Sequence, residues 1–136
     1  MPAEGRHTSP AADPERIRRY RRGIGAEWLA RLLLVAKGYR ILAARVRTPV
    51  GEIDLIARRG RRLAFVEVKR RPTMDEALES VTPRLQTRVM RAAEWWMGAA
   101  GRRHAACEPA FDAVLVVPGR LPRHLADAFE FRTRSA

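Results

Sequence analysis

The stretch Gly51-Glu-Ile-Asp54-Leu-Ile-Ala-Arg-Arg-Gly60-Arg-Arg-Leu-Ala-Phe65-Val-Glu67-Val-Lys69 decides how the rest of the chain is read. Two alternating segments, Glu52 to Arg58 and Leu63 to Lys69, flank the turn-like Arg59-Gly60-Arg61-Arg62, with Pro49 and Pro72 beyond the ends. Alternation broken by a glycine-containing turn predicts a β-hairpin. A hairpin symmetric about that turn pairs Ile56 with Phe65, Asp54 with Glu67 and Glu52 with Lys69. One face then carries Ile53, Leu55, Ala57, Ala64, Val66 and Val68 and is wholly apolar, so it is the expected core face. A slip of one residue would set Asp54 opposite Val66 and mix the faces, which specifies the register.

On the other face the predicted register brings two carboxylates together. Opposed side chains on a ladder lie about 4.5 Å apart, and like charges there destabilise it. At an effective dielectric near 20 the repulsion is about 4 kcal/mol. A cation is therefore expected between Asp54 and Glu67. Lys69 shares the face, and a hard divalent ion such as Mg²⁺ is the other candidate, since it accepts one or two carboxylates and keeps several waters. Of the 27 basic residues only Lys37 and Lys69 are lysines. A compact ammonium at 69, in so arginine-biased a chain, differs in kind from a guanidinium fork, because lysine shifts its pKa and handles a water.

Asp54 followed by Glu67-Val68-Lys69 resembles the PD-(D/E)XK nuclease signature. More narrowly, Gly-Glu-Ile-Asp-Leu-Ile-Ala and Phe-Val-Glu-Val-Lys-Arg-Arg resemble the YraN-like family of endonuclease-like bacterial proteins, similar in architecture to archaeal Holliday-junction resolvases. The resemblance spans about Arg19 to Phe131. It implies Asp54, Glu67 and Lys69 as catalytic residues, with Asp54 and Glu67 as metal ligands, and a helical Glu27 as a further metal or water ligand. It leaves Gln86 as a polar helper and Glu52 as a group that tunes Lys69 or meets a second ion. The resemblance also implies a basic residue at or beside Leu85, and the apolar Leu85 departs from that pattern, which puts one expected phosphate contact in doubt.

The net charge of +12 and a pI near 11.5 favour a polyanionic partner, nucleic acid first. Arg70, Arg71, Arg84 and Arg88 are the candidate phosphate contacts. The lone Cys107 excludes an internal disulfide, and His7, His104 and His124 have no zinc-ligand spacing with it. The most apolar run, Trp28 to Ala36, is broken by Arg31 and is too short to span a bilayer. With no signal-peptide pattern at the start, a cytoplasmic protein without a membrane partner is expected.

Outward from the hairpin, residues 1–12 read as a disordered tail and 13–136 as one endonuclease-like domain. Asp13-Pro14-Glu15 reads as a helix start for a short basic helix, interrupted at Gly23 and Gly25. Ala26, Leu29, Ala30, Leu33 and Ala36 then recur at helical spacing before Gly38, with Glu27 on the flank of the stripe. Tyr39 to Arg47 is a strand, Met74 to Val81 is either a helical turn or a loop, and Thr82-Pro83 starts a helix reaching about Gly98. Pro109 to Val117 is a buried strand in which Asp112 reads as a strand-end acid, and Leu121 to Phe131 reads as packing.

Helix, three strands, helix and strand in that order predict an α/β protein with a mixed sheet flanked by helices. The resemblance implies the same αβββαβ core of the restriction-endonuclease-like fold. The function expected is Mg²⁺- or Mn²⁺-dependent endonucleolytic hydrolysis of nucleic acid, DNA before RNA, with branched DNA such as Holliday junctions as one substrate class and room for a homodimer. The alternative is a non-catalytic nucleic-acid-binding or adaptor protein that retains the fold. A basic protein docking on an acidic partner would explain the charge but not the converging acids.

Overall fold

Alternating apolar residues build a five-stranded sheet ordered β1-β2-β3-β4-β5, from β1 (Arg40–Thr48), β2 (Gly51–Arg59), β3 (Arg62–Arg70), β4 (Glu108–Val116) and β5 (Arg123–Leu125). The β3–β4 pair is parallel and the others antiparallel, so the sheet is mixed. The computed structural model describes residues 14–128, without the side chains of 16–24, 100 and 101. The expected tail, the Asp13 cap and Phe131 lie outside the described residues, as do the side chains of Arg16, Arg18, Arg19, Arg21 and Arg22.

Helix α1 (Pro14–Ala36) covers one face of the sheet. Its Ala26, Ala30 and Leu34 pack on Leu55, Ala57, Ala64, Val66, Val114 and Val116. Helix α3 (Pro83–Ala100) covers the other through Leu85, Val89, Ala92 and Ala93 against Ile53, Ile56, Leu63 and Phe65. Both faces of the hairpin are thus core, where one had been expected. The parallel β3–β4 pair explains this, since its crossover lays a helix across the second face. The helix α2 (Met74–Glu79) settles the ambiguous segment: Thr73 caps it by accepting from Glu76 N–H, and Ala77 packs on Ala113, Leu115 and Val117.

Two expectations about element boundaries are corrected. Helix α1 runs unbroken through Gly23 and Gly25, because a helical glycine costs only about 1 kcal/mol each and the packed half beyond supplies more than that. The closing segment adds β5, whose three residues pair with β4 from Ala113 to Leu115. Elsewhere the sequence signals hold. Thr82 caps α3, its Oγ1 accepting from Leu85 N–H at 3.2 Å. Thr48 Oγ1 donates to Gly51 O at 2.6 Å in the β1–β2 turn, where Gly51 has φ +151° and a side-chain Cβ would come within 3.4 Å of the Arg88 carbonyl oxygen of α3.

Candidate functional site

The hairpin register is the predicted one: Ile56 faces Phe65, Leu55 faces Val66, Ala57 faces Ala64. The ladder stops at Leu55 and Val66, and beyond it the strands use side chains. Asp54 Oδ2 accepts Val68 N–H at 2.8 Å, taking the amide that a regular ladder would have paired with backbone. On the other side β1 kinks at the same level. Its register shifts between Ile41 and Ala43, and Arg45, between the partners of Leu55 and Ile53, has φ +52°, a rare conformation for a residue with a Cβ. Alternation breaks here. Ile53, expected beside Leu55, packs instead with the α3-side cluster.

These irregularities seat the acids. Asp54 and Glu67 lie close enough for each carboxyl to act on the other, although the ladder itself does not pair them. Glu67 is 9% exposed, and Lys69 Nζ lies 3.5 Å from its Oε2. Burial pushes the Glu67 carboxyl up to about 7, with the Asp54 charge adding to the rise and Lys69 opposing it. Burial also raises Asp54, against the Val68 amide, the Glu67 hydrogen bond and Lys69. Glu67 therefore keeps its proton at pH values where free carboxyls have lost theirs. One ammonium does not offset two buried carboxylates.

Glu27 lies close enough to raise Asp54 further. Its own oxygens are engaged elsewhere: Arg45 Nε donates to Oε1 at 2.8 Å and Arg31 sits 3.7 Å from Oε2. Among the described residues no three acids, histidines or cysteines cluster as a metal-binding group. The donor set on offer is thus two carboxylates, Asp54 and Glu67, which fits a hard cation that keeps waters and accepts phosphate oxygens.

Glu52 is not the partner of Lys69. With the β2–β3 ladder ended, it turns to β1 and pairs with Arg47 at 3.3 Å, both well exposed. Gln86 is half-buried on α3, and its side chain has no hydrogen bond among the described residues. Arg84 and Arg88 are exposed on α3, Arg70 and Arg71 half-buried beyond Lys69, and none forms an ion pair among the described residues.

One cluster went unread in the sequence. Asp112 is no strand-end acid but fully buried in mid-strand. Arg62 grips both its oxygens at 2.7 and 2.9 Å, His124 Nε2 sits at 2.8 Å and Asp127 N–H donates at 2.8 Å. Burial alone would raise Asp112, but the hydrogen bonds from His124, Arg62 and Asp127 hold it at about 2. An acid inside so apolar a run was the available signal, because a buried carboxylate requires partners. The network ties the closing segment to the sheet, at the hairpin's turn end of β3.

The fold and the site define an α/β protein with a mixed five-stranded sheet flanked by helices, carrying an acid pair and a lysine on its central hairpin. The profile of "Uncharacterised protein family UPF0102" matches residues 26–116, and the chain belongs to that family. It is the family toward which the YraN-like motifs pointed. The chain is 52% identical over 130 residues to a UPF0102 protein of Bradyrhizobium diazoefficiens, covering 96% of this chain and 97% of the relative. It is 54% identical over 129 residues to one of Rhodopseudomonas palustris, covering 94% and 95%. Among solved structures it is similar to Archaeoglobus fulgidus Hjc, a Holliday junction resolvase, at 21% identity and a TM-score of 0.38, over 73% of this chain and 74% of that one.

Proposed function

We propose that the protein is a divalent-metal-dependent endonuclease that hydrolyses phosphodiester bonds in nucleic acid, DNA before RNA. The observation that carries this reading is the buried Glu67 carboxyl with half-buried Asp54 close by and Lys69 3.5 Å away, on a chain of net charge +12. Acids gathered in a protein built to attract polyanions repel their own ligand unless a cation joins them. Asp54 and Glu67 would hold Mg²⁺ or Mn²⁺, which when bound polarises a phosphoryl oxygen and stabilises developing charge.

The chain's own groups do the rest. Val68 N–H fixes the Asp54 carboxylate, so one ligand oxygen is oriented before any ligand arrives. Lys69 Nζ, 3.5 Å from Glu67 Oε2, would orient the attacking water by donating to it. Arg84 and Arg88 on α3, with Arg70 and Arg71, supply the phosphate attraction. Glu27 is placed to hold a water rather than to ligate directly while Arg45 and Arg31 occupy it.

The test is a cleavage screen over four-way junctions, flaps, duplexes, single strands and RNA with Mg²⁺ and Mn²⁺. Wild type is expected to cut at least one class, and Asp54→Ala none. A second reading, a nucleic-acid-binding protein without turnover, is favoured by the capture of Glu27 in two ion pairs. Binding that is tight and salt-dependent across the screen, with no product from any substrate, would decide for it.

A further inference from the structure

At the end of β2 away from the acid pair, the β1–β2 register sets Arg40 directly opposite Arg58. Like charges facing across a ladder destabilise it unless a counter-charge joins them. Arg103, from the 3₁₀ turn Gly101–His104, adds a third guanidinium. Together with Leu42, Trp96 and His104 these arginines line a cleft of about 710 Å³. Among the described residues no carboxylate forms an ion pair with any of the three.

The histidine in this cleft is set as a donor. Arg58 NH1 donates to His104 Nδ1 at 2.8 Å, which leaves the ring proton on Nε2, and Nε2 has no partner among the described residues. Burial and the neighbouring charges of Arg58, Arg103 and Arg40 hold His104 below its usual range, so it is neutral at pH 7. Its ring stacks on Trp96 with centroids 5.7 Å apart and planes at 23°, and the two make a flat wall. Guanidinium forks match phosphate oxygens, and aromatic faces accept a nucleobase. The volume falls in the ordinary range of small-ligand clefts, about 300 to 1,000 Å³.

We propose that this cleft binds the phosphate of a nucleotide unit, the three guanidiniums on its oxygens and the base along the Trp96–His104 wall. The nucleotide comes either from a nucleic-acid strand or from the free pool. Arg58 lies four steps along β2 from Asp54, about 13 Å at strand rise, and the intervening Ile56 packs with Leu42 and Trp96 on the α3 side. The inference needs neither metal nor turnover, so its failure and that of the nuclease reading are separable.

The test uses the full chain in EDTA with two probes, a labelled 20-nucleotide single strand and AMP, and adenosine as the control lacking phosphate. Arg40→Ala/Arg103→Ala is compared with Arg120→Ala/Arg123→Ala, which removes the same charge from another surface. The cleft variant is expected to bind at least one probe about tenfold more weakly than its charge-matched control, with a shallower salt slope for the strand. Loss confined to the 20-mer identifies a strand as the source, and loss of AMP identifies a free nucleotide. In the wild type, the His104 ring resonances should move with AMP and not with adenosine. Equal losses in both double variants, or His104 resonances unmoved by AMP and by the 20-mer, would overturn the proposal, and the wild-type readout stands whether or not the variants fold.

Discussion

Glu67→Gln should stabilise the metal-free protein above pH 8 while leaving it nearly unchanged at pH 4. Glu67 is pushed to about 7 from an ordinary 4.5 by burial first and by Asp54 second. A folded-state value above the unfolded one means that the fold binds this proton more tightly than the unfolded chain does. The favourable contribution is therefore complete below about pH 4.5 and lost as pH rises through about 7. Between those limits the wild type gives up about 3 kcal/mol relative to a chain with no such group. Glutamine keeps the shape and supplies an N–H to Asp54 at every pH. The stability difference, variant minus wild type, should grow from near zero at pH 4 to about 3 kcal/mol at pH 8.5, or about 10 °C in melting temperature. Urea unfolding in EDTA at several pH values measures it, and taking the difference removes every other titrating group. A difference that stays flat with pH, or a glutamine variant less stable at pH 8.5, would refute the raised Glu67 carboxyl and leave Lys69 facing two fully ionised acids.

Mg²⁺ or Mn²⁺ should raise the wild-type melting temperature, by the equivalent of about 2.7 kcal/mol at a hundredfold excess over Kd. Asp54→Asn should abolish that rise without loss of metal-free stability, because asparagine still accepts from Val68 N–H and ends the acid repulsion; calorimetric scans with and without metal decide it. Asp112→Ala strands Arg62 and His124 and should cost about 3 to 5 kcal/mol by denaturant unfolding. Asp112 itself, held at about 2, adds stability that is present above its ordinary 3.8 and lost as pH falls through 2, so acid unfolding of the wild type followed by circular dichroism should show a component the variant lacks.

The hairpin was legible because a period of two allows only two assignments of face, and one of them mixed charge with core. The register also put Asp54 near Glu67, although the ladder ends at Leu55 and Val66 and the final approach depends on Asp54 taking the Val68 amide. Glu52 was misassigned because the ladder ends at Leu55, three residues before it, where Asp54 takes the Val68 amide, and strand patterning carries no signal for a side chain that replaces a backbone acceptor. Gly23 and Gly25 overstated their effect, since local propensity yields to the packing of Ala26, Ala30 and Leu34. Strand β5 was missed because three residues are too few to show alternation. The Asp112 partners lie 12 to 50 positions away, and only the folded chain brings them together.

The strand β2 carries the cost of like charge at both ends. Its centre, Leu55, Ile56 and Ala57, is fully buried and anchors the sheet, while Asp54 meets Glu67 at one end and Arg40 meets Arg58 at the other. A domain stable by only about 5 to 15 kcal/mol keeps such pairs only where the surrounding core over-determines them. Opposite signs at the two ends also divide the labour of recognition. The acids disfavour a phosphate until a cation is present, whereas the arginines attract one without it, so anchoring and any metal-dependent step answer to different ligands. The EDTA experiments on Arg40 and Arg103 and the metal-dependent melting of Asp54→Asn therefore measure separate properties, and each ought to respond to its own perturbation while the other stays fixed.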